Sequence, residues 1–294
     1  MTIPLDQGRK LRLTHIDDSY LPFELFWRGA NYYEPITRRV LEALVQPGTT
    51  FIDVGAHIGF FSLIVGSSPA QPQVIAFEPN PQNVRSLVAN LKANNLTNAV
   101  CESLAISDRD GIGTLYLTES DMSASLMKDF QAEDTRQIGS ITVPTTTLDT
   151  YMEQRQMTGP MVIKVDMEGH EPAFFRGAVA TLERYRPDIL LEVLYNMDEE
   201  LVAQLKSLGY NFYPITDKSF EEEDMPRLVK RFPFLFLNHL LSARPKVELS
   251  ELFEGVRQGI ANINLLHTSK HFPKERWPLL WQAEPDTERL ESQP

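Results

Sequence analysis

Three short runs of this sequence set carboxylates beside glycines or a lysine at spacings that suit chemistry on a cationic nucleoside. The first is F-I-D-V-G-A-H-I-G-F-F, Phe51 to Phe61, where a strand gives way to a helix. Gly55 and Gly59 leave the backbone of such a turn open to a nucleotide cofactor, because a Cβ at either place would hold the ligand off. Dinucleotide sites use G-x-G-x-x-G to aim a helix N-terminus at a pyrophosphate, whereas this run is D-x-G-x-x-x-G with Asp53 at the strand tip. A carboxylate there repels a pyrophosphate but suits a cofactor that carries an ammonium, as S-adenosylmethionine does.

The second run ends in Glu78, closing the next strand, where an acid can take both ribose hydroxyls in either cofactor class. Together with Asp53 it favours nucleoside binding over a merely tight connection. The third run is V-I-K-V-D-M-E-G-H-E, Val162 to Glu171. Strand side chains alternate with period two, so Lys164 and Asp166 share a face, and in open α/β sheets ligands lie off the carboxyl ends of the strands. Helix capping accounts for Glu171 but not for a lysine pointing inward on a buried strand.

The elements that must position these residues read as an α/β core. Between about Thr49 and Tyr213, short apolar β-branched runs alternate with amphipathic stretches, the pattern of parallel strands joined by helices. TTFIDV and QVIAFE predict the first two strands, and a third lies near Asn98 to Ile106. The helix PQNVRSLVANLKANN sets Val84, Leu87, Val88 and Leu91 on one expected apolar face. Gly113–Thr118 and Ser140–Thr146 alternate as an added antiparallel pair around a loop that holds the serines of DMSAS. The strand-helix rhythm then resumes through 147–156, PMVIKVD, 171–184, DILLEV, DEELVAQLKSLG and YNFYPI, and ANINLLHT, Ala261 to Thr268, reads as the last strand.

The ordered set DVGAHIGFFSL, AFEPNP, LAISDRDG with LYL, TTTLD, KVDMEGHE with RGA, and DILLEV resembles the FkbM family of S-adenosylmethionine-dependent methyltransferases. The likeness spans roughly Tyr32 to Tyr213 and resumes at Asn262 to Leu266; its K-x-D-x-E-G-x-E segment is more particular than the glycine turn. The resemblance implies a Rossmann-like class I methyltransferase fold. Its sheet would be mostly parallel and seven-stranded, with an antiparallel last strand, an added β-hairpin and a helical insertion before that last strand. It further implies that Asp53, Gly55 and Gly59, with His57 inside the same run, form the methionine-side pocket and that Glu78 holds the ribose. The loop Ala105 to Asp108 would border the adenine, with Ser123 and Ser125 from the serine-containing loop nearby.

For a hydroxyl acceptor, methyl transfer needs alignment, exclusion of water and removal of a proton. Asp166 is the candidate to orient or deprotonate the hydroxyl, Lys164 to hold or assist the acceptor oxygen, and Glu168 to position the substrate. His57 and His170 are read as polar residues of turns and not as bases. Asp166, Glu168 and Glu192 form an oxygen set that suits Mg²⁺, although Lys164 already supplies positive charge and the metal-free reading is favoured. Glu192 either faces the same crevice or pairs with a cation such as Arg186, the structural role ranking slightly higher.

The chain has 294 residues, a net charge of −12 and a single cysteine, Cys101. The negative charge argues against nucleic acid as a partner, and one thiol builds neither an internal disulfide nor a thiolate metal site. No run approaches the ~20 apolar residues of a membrane span, and the expectation is a cytoplasmic protein acting on a small molecule, with a membrane partner disfavoured. Residues 1–48 read as a helical cover, 49–216 with 261–268 as the core, and 282–294 as a loosely ordered tail.

Residues 217–260 read as an insertion serving as lid, homodimer contact or substrate element. Its cluster Phe232, Phe234, Leu235, Phe236, Leu237, Leu240 and Leu241 is flanked by Arg227, Lys230, Arg231, Arg244 and Lys246. Near the N-terminus, Trp27, Tyr32 and Tyr33 are expected to pack over the cofactor cleft. The competing functions are an oxidoreductase, which lacks its glycine spacing; a binding module without catalysis, which would not need Lys164 and Asp166; and a methyltransferase acting on a carboxylate, which would need no base.

Overall fold

A computed structural model describes residues 1–16, 19–30, 33–119, 124–128, 136–155, 157–193, 199–214, 237–244 and 249. Each sheet face is made apolar by alternation along the strands. In β3 (Thr50–Val54), Phe51 joins one core and Ile52 with Val54 the other; in β9 (Met161–Val165), Val162 faces the first core and Ile163 with Val165 the second. Both strands are buried throughout, which a parallel pair needs because helices cover both its faces.

The central sheet has seven strands. Alongside β3 lie β4 (Gln73–Phe77) and β5 (Ala99–Glu102) on one side; on the other come β9, β10 (Asp188–Val193), β12 (Leu237–Ser242) and β11 (Asn211–Pro214). Their order is β11-β12-β10-β9-β3-β4-β5. All neighbours are parallel except β12, which runs antiparallel to both β10 and β11. This is the expected mostly parallel sheet with one reversed strand. The strand predicted over 98–106 is split, because β5 ends at Glu102 and β6 (Ala105–Ile106) leaves to pair with the added hairpin of β7 (Gly111–Thr118) and β8 (Gln137–Thr146).

The reversed strand comes from an unexpected place. Leu237–Ser242, read in the sequence as part of the 217–260 insertion, forms it, with Leu240 and Leu241 fully buried, while 261–268 lies outside the described residues. Arg244, read as a basic flank of the insertion's apolar cluster, donates from Nε to Asp188 Oδ2 at 2.7 Å, beside the Ser242 hydroxyl that donates to Asp188 Oδ1 at 2.6 Å. Phe232, Phe234, Leu235, Phe236, Arg227, Lys230, Arg231 and Lys246, and the tail 282–294, lie outside the described residues.

The first face is covered by α2 (Pro35–Leu44), α3 (Phe60–Gly66) and α4 (Pro81–Ala93), and the second by α5 (Leu148–Glu153), α7 (Val179–Tyr185) and α8 (Glu199–Ser207). The helix expected over 171–184 is broken into α6 (Glu171–Arg176) and α7. Helix α4 is rotated from its expected face: Val88 is 49% exposed, while Asn83, Ser86, Leu87, Asn90 and Leu91 are buried. Hydrogen bonding explains the rotation. Asn90 donates to Ile58 O at 2.9 Å and accepts from Thr14 N at 2.7 Å, so a polar side chain takes a core position.

The N-terminal cover is not wholly helical. It opens with a hairpin of β1 (Thr2–Pro4) and β2 (Lys10–Arg12), anchored on α4 through Asn90 and Asn94, before α1 (Tyr20–Arg28) and α2. On α1, Leu21 and Leu25 face the core while Phe23, Phe26 and Trp27 are each more than half exposed, so Trp27 does not cover a cleft as expected. Among the described residues, no helix is long and apolar enough to cross a membrane.

Candidate active site

The alternation that builds the two cores also aligns the acids. Phe51, Val162 and Leu190 share the first face, so Asp53, Lys164 and Glu192, each two residues further along its strand, lie on that face too. Asp166 keeps the same parity one step beyond β9, and Glu78 beyond β4. At these carboxyl ends a cavity of about 360 Å³ opens. Gly55, His57, Glu78, Ala105, Asp166, Glu168, His170 and Glu192 line it, so most of the residues singled out in the sequence meet in one place.

One end is suited to a nucleoside. The Glu78 carboxylate, 5% exposed, accepts from His57 N and Asn80 N, both at 2.8 Å. Burial pushes its pKa up, opposed by His57 and by those two backbone donors. His57 takes φ +51°, a left-handed turn that points its N–H at the carboxylate, and so contributes through its backbone. Asn83, a buried residue that the sequence reading missed, supports Glu78 from the first turn of α4. Leu104, Ala105, Ile106, Leu115 and Leu126 add an apolar wall beside it.

The two glycines also serve packing. A Cβ at Gly55, where φ is +80°, would lie 1.8 Å from Asp166 O, and one at Gly59 would lie 2.2 Å from Leu87 Cδ1. Their bareness lets strand end meet strand end and α3 meet α4. Gly59 and Asp53 do not line the cavity. Asp53 is 1% exposed and accepts from the Ser62 hydroxyl at 2.6 Å, with Lys164 beside it on β9.

The other end gathers carboxyl groups. Asp166 Oδ2 lies 2.7 Å from Lys164 Nζ, a pair set up by their shared strand face. Burial pushes Asp166 toward the neutral form, but the Lys164 ammonium, the hydrogen bonds from Glu192 and Lys164, and His57 together outweigh it and hold the pKa below the ordinary value. Glu192 hydrogen-bonds to Asp166, and burial together with the Asp166 charge raises its pKa well above the usual range. Glu192 therefore faces the crevice, and the structural pairing favoured from sequence gives way, Arg186 sitting instead against Gly209.

Glu168 has φ +51° and a pKa pushed up to about 8 by burial and then by the Asp166 charge. Its carbonyl accepts from the Ser125 hydroxyl at 2.7 Å, which ties the serine loop to the turn; Ser123 lies outside the described residues. His170 Nε2 lies 2.9 Å from the Ser107 hydroxyl, and burial lowers its pKa. Lys164 is 3% exposed and does not line the cavity.

Two wall residues come from ahead of the first core strand. Tyr33 stacks edge-on against Phe60 at 5.5 Å, as expected of a cleft cover, while Tyr32 lies outside the described residues. Glu34, which no sequence signal marks, stands at the left-handed residue before α2 and reaches the same cavity. Among the described residues, Glu34, Asp166 and Glu192 present carboxylate oxygens within 4.8 Å of one another. The oxygen set expected from sequence had Glu168 in the place of Glu34.

A doubly wound sheet with one reversed strand, and a cavity at the carboxyl ends of its strands, define an α/β scaffold of the kind that binds ligands there. Residues 53–212 match the family model described as the methyltransferase FkbM domain, and the chain belongs to that family. Hexuronic acid methyltransferase AglP of Haloferax volcanii is 27% identical over 190 residues, covering 65% of this chain and 74% of that protein. Among solved structures, methyltransferase FkbM from Methylobacillus flagellatus is 13% identical at a TM-score of 0.42, covering 67% of this chain but only 44% of its own. M. jannaschii TYW2 in complex with AdoMet is 13% identical at a TM-score of 0.35, with 81% of each chain covered.

Proposed function

We propose that the chain is an S-adenosylmethionine-dependent O-methyltransferase that acts on a hydroxyl of a small polyhydroxylated molecule, such as a sugar or a glycosylated natural product. The cavity fits the cofactor at the nucleoside end. Glu78 has each oxygen fixed by one backbone N–H and lone pairs left for a vicinal diol, beside an apolar wall for a flat base. S-adenosylmethionine supplies an electrophilic methyl group on a sulfonium when bound. Glu78→Gln sets an amide NH2 against one of the two backbone N–H donors, leaving it without an acceptor, and removes the carboxylate from the diol. It is expected to weaken S-adenosylmethionine binding by about 1.5–3 kcal/mol, measured by titration calorimetry.

The observation that carries the hydroxyl reading is the wall of four carboxyl groups, Glu34, Asp166, Glu168 and Glu192, at the acceptor end. An acceptor carboxylate entering there meets the Asp166 charge among carboxyl groups that already resist ionising beside one another, whereas a sugar offers hydroxyls that donate to Asp166 and accept from protonated carboxyls. Asp166, held ionised by Lys164, accepts the hydroxyl's hydrogen bond and takes its proton at a carboxylate oxygen as the new O–C bond forms. Glu192 hydrogen-bonds to Asp166, and Tyr33 lines the same cavity together with Ala105 and Ile106 of β6 and Leu115 of β7.

The relative named for hexuronic acid supports a sugar acceptor and raises a carboxylate as the alternative methylation point. The two readings separate with methyl-labelled S-adenosylmethionine and a matched pair of acceptors, a hexoside and the corresponding hexuronide. A hydroxyl acceptor yields label that survives mild alkali, as ethers do. Label released by alkali, as from a methyl ester, would overturn the reading.

A further inference from the structure

Lys164 is a buried charge set behind the site. Its side chain is 3% exposed, does not line the cavity, and rests over the Phe61 ring at 4.8 Å while Nζ reaches Asp166 Oδ2 at 2.7 Å. Asp53 is equally walled off, 1% exposed, bound by the Ser62 hydroxyl and in register with Lys164 on the adjoining strand. We propose that Lys164 does not touch the acceptor and acts through Asp166, as a positioning residue held between Asp53 and Asp166 behind the cavity wall. This rests on the reading of Asp166 as the group that receives the hydroxyl proton. It moves Asp53 as well, from the cofactor's ammonium to the support of Lys164.

The charges around Asp166 show why it needs such a partner. Glu192 faces it from β10, Glu34 from the residue before α2, Glu168 from its own loop, Glu171 from the start of α6, and His57 from the loop after β3. Buried among carboxyl groups, Asp166 without Lys164 would be pushed toward its protonated form, and a protonated carboxyl cannot accept another proton. Lys164 in turn is drawn to its charged form by Asp166, Glu34, Asp53 and Glu192, against its burial.

Lys164→Met alone would leave Asp53 as a buried anion without its cation, a change that can unfold a protein. The informative variant is therefore Asp53→Asn/Lys164→Met, with Lys164→Arg as the conservative comparison. Full-length protein labelled with carboxyl-¹³C aspartate is titrated by NMR, the Asp166 signal being identified by its loss in Asp166→Asn. In the double variant the Asp166 midpoint is expected to rise by about one pH unit or more. S-adenosylmethionine affinity, from calorimetry, is expected to stay within about threefold of the parent, and Lys164→Arg to keep the low midpoint.

An unmoved Asp166 midpoint in the double variant overturns the proposal, as does a cofactor affinity that collapses with it, since Asp53 would then serve the cofactor directly. A shifted midpoint in a protein whose Asp166→Asn variant still turns over would leave the Lys164 assignment standing and overturn the reading of Asp166 as base.

Discussion

Replacing Asp166 by Asn is expected to lower turnover by about 10²–10⁴-fold while S-adenosylmethionine binds with nearly parental affinity. The amide keeps the size of the carboxylate and an oxygen that can still accept from Lys164, 2.7 Å away in the parent, but it cannot take a proton from an acceptor hydroxyl. The fold is expected to persist, because Lys164 retains Glu34, Asp53 and Glu192 around it, so no buried cation is abandoned. The nucleoside end is untouched, its carboxylate being held by the backbone of His57 and Asn80. Single-turnover transfer of labelled methyl measures the first quantity and calorimetry the second. Turnover within about tenfold of the parent would remove Asp166 from the proton-transfer step. It would also favour an acceptor that is already an anion.

The second large effect is on the fold itself. Gly55→Ala places a methyl 1.8 Å from the Asp166 carbonyl oxygen in a backbone with φ +80°. That carbonyl cannot simply swing away. Asp166 N donates to Val54 O at 3.1 Å, and Gly55 N to Phe77 O at 3.0 Å, so this glycine sits where the ends of β3, β4 and β9 are tied together. The left-handed conformation alone costs about 1–2 kcal/mol for a residue with a Cβ, and relieving the overlap must push apart the strand ends that carry the site. A total loss above about 3 kcal/mol is expected in urea unfolding, with loss of S-adenosylmethionine binding in whatever remains folded. Gly48→Ala is the control, since φ there is +83° but nothing lies within 4 Å of the added methyl. If both variants lost the same small amount, close approach at Gly55 would not be what the position requires.

The contrast between these two glycines marks where reading the chain stops. Positive φ can be suspected at any glycine of a turn, whereas the neighbour that a Cβ would strike at Gly55 is a carbonyl more than a hundred residues away. The same limit explains Glu34. It precedes a proline at a helix start, an ordinary place for an acid, and becomes a wall of the cavity only because α2 docks over the carboxyl ends of the strands. Helix α4 shows the limit in a core: apolar periodicity chose Val88, but Asn90 is buried because Ile58 O and Thr14 are there to bond it. The choice of the reversed strand was of this kind too. Several apolar runs follow Tyr213, and only pairing with β10 and β11 singles out Leu237–Ser242.

What the sequence determined by itself was the alternation of the strands and the acids placed in phase with it. A period of exactly two residues carries face and spacing along a strand without reference to any distant contact, so Lys164 and Asp166 had to share a side, and Asp53 and Glu78 had to fall at strand tips. Tertiary structure decided which of those groups reach the cavity. Asp166, Glu78, Glu168 and Glu192 line it, while Asp53 and Lys164 are closed behind its wall by Ser62, Phe61 and the neighbouring strands. Depth is a property of what packs on top of a residue, and that is supplied by segments far away in the chain.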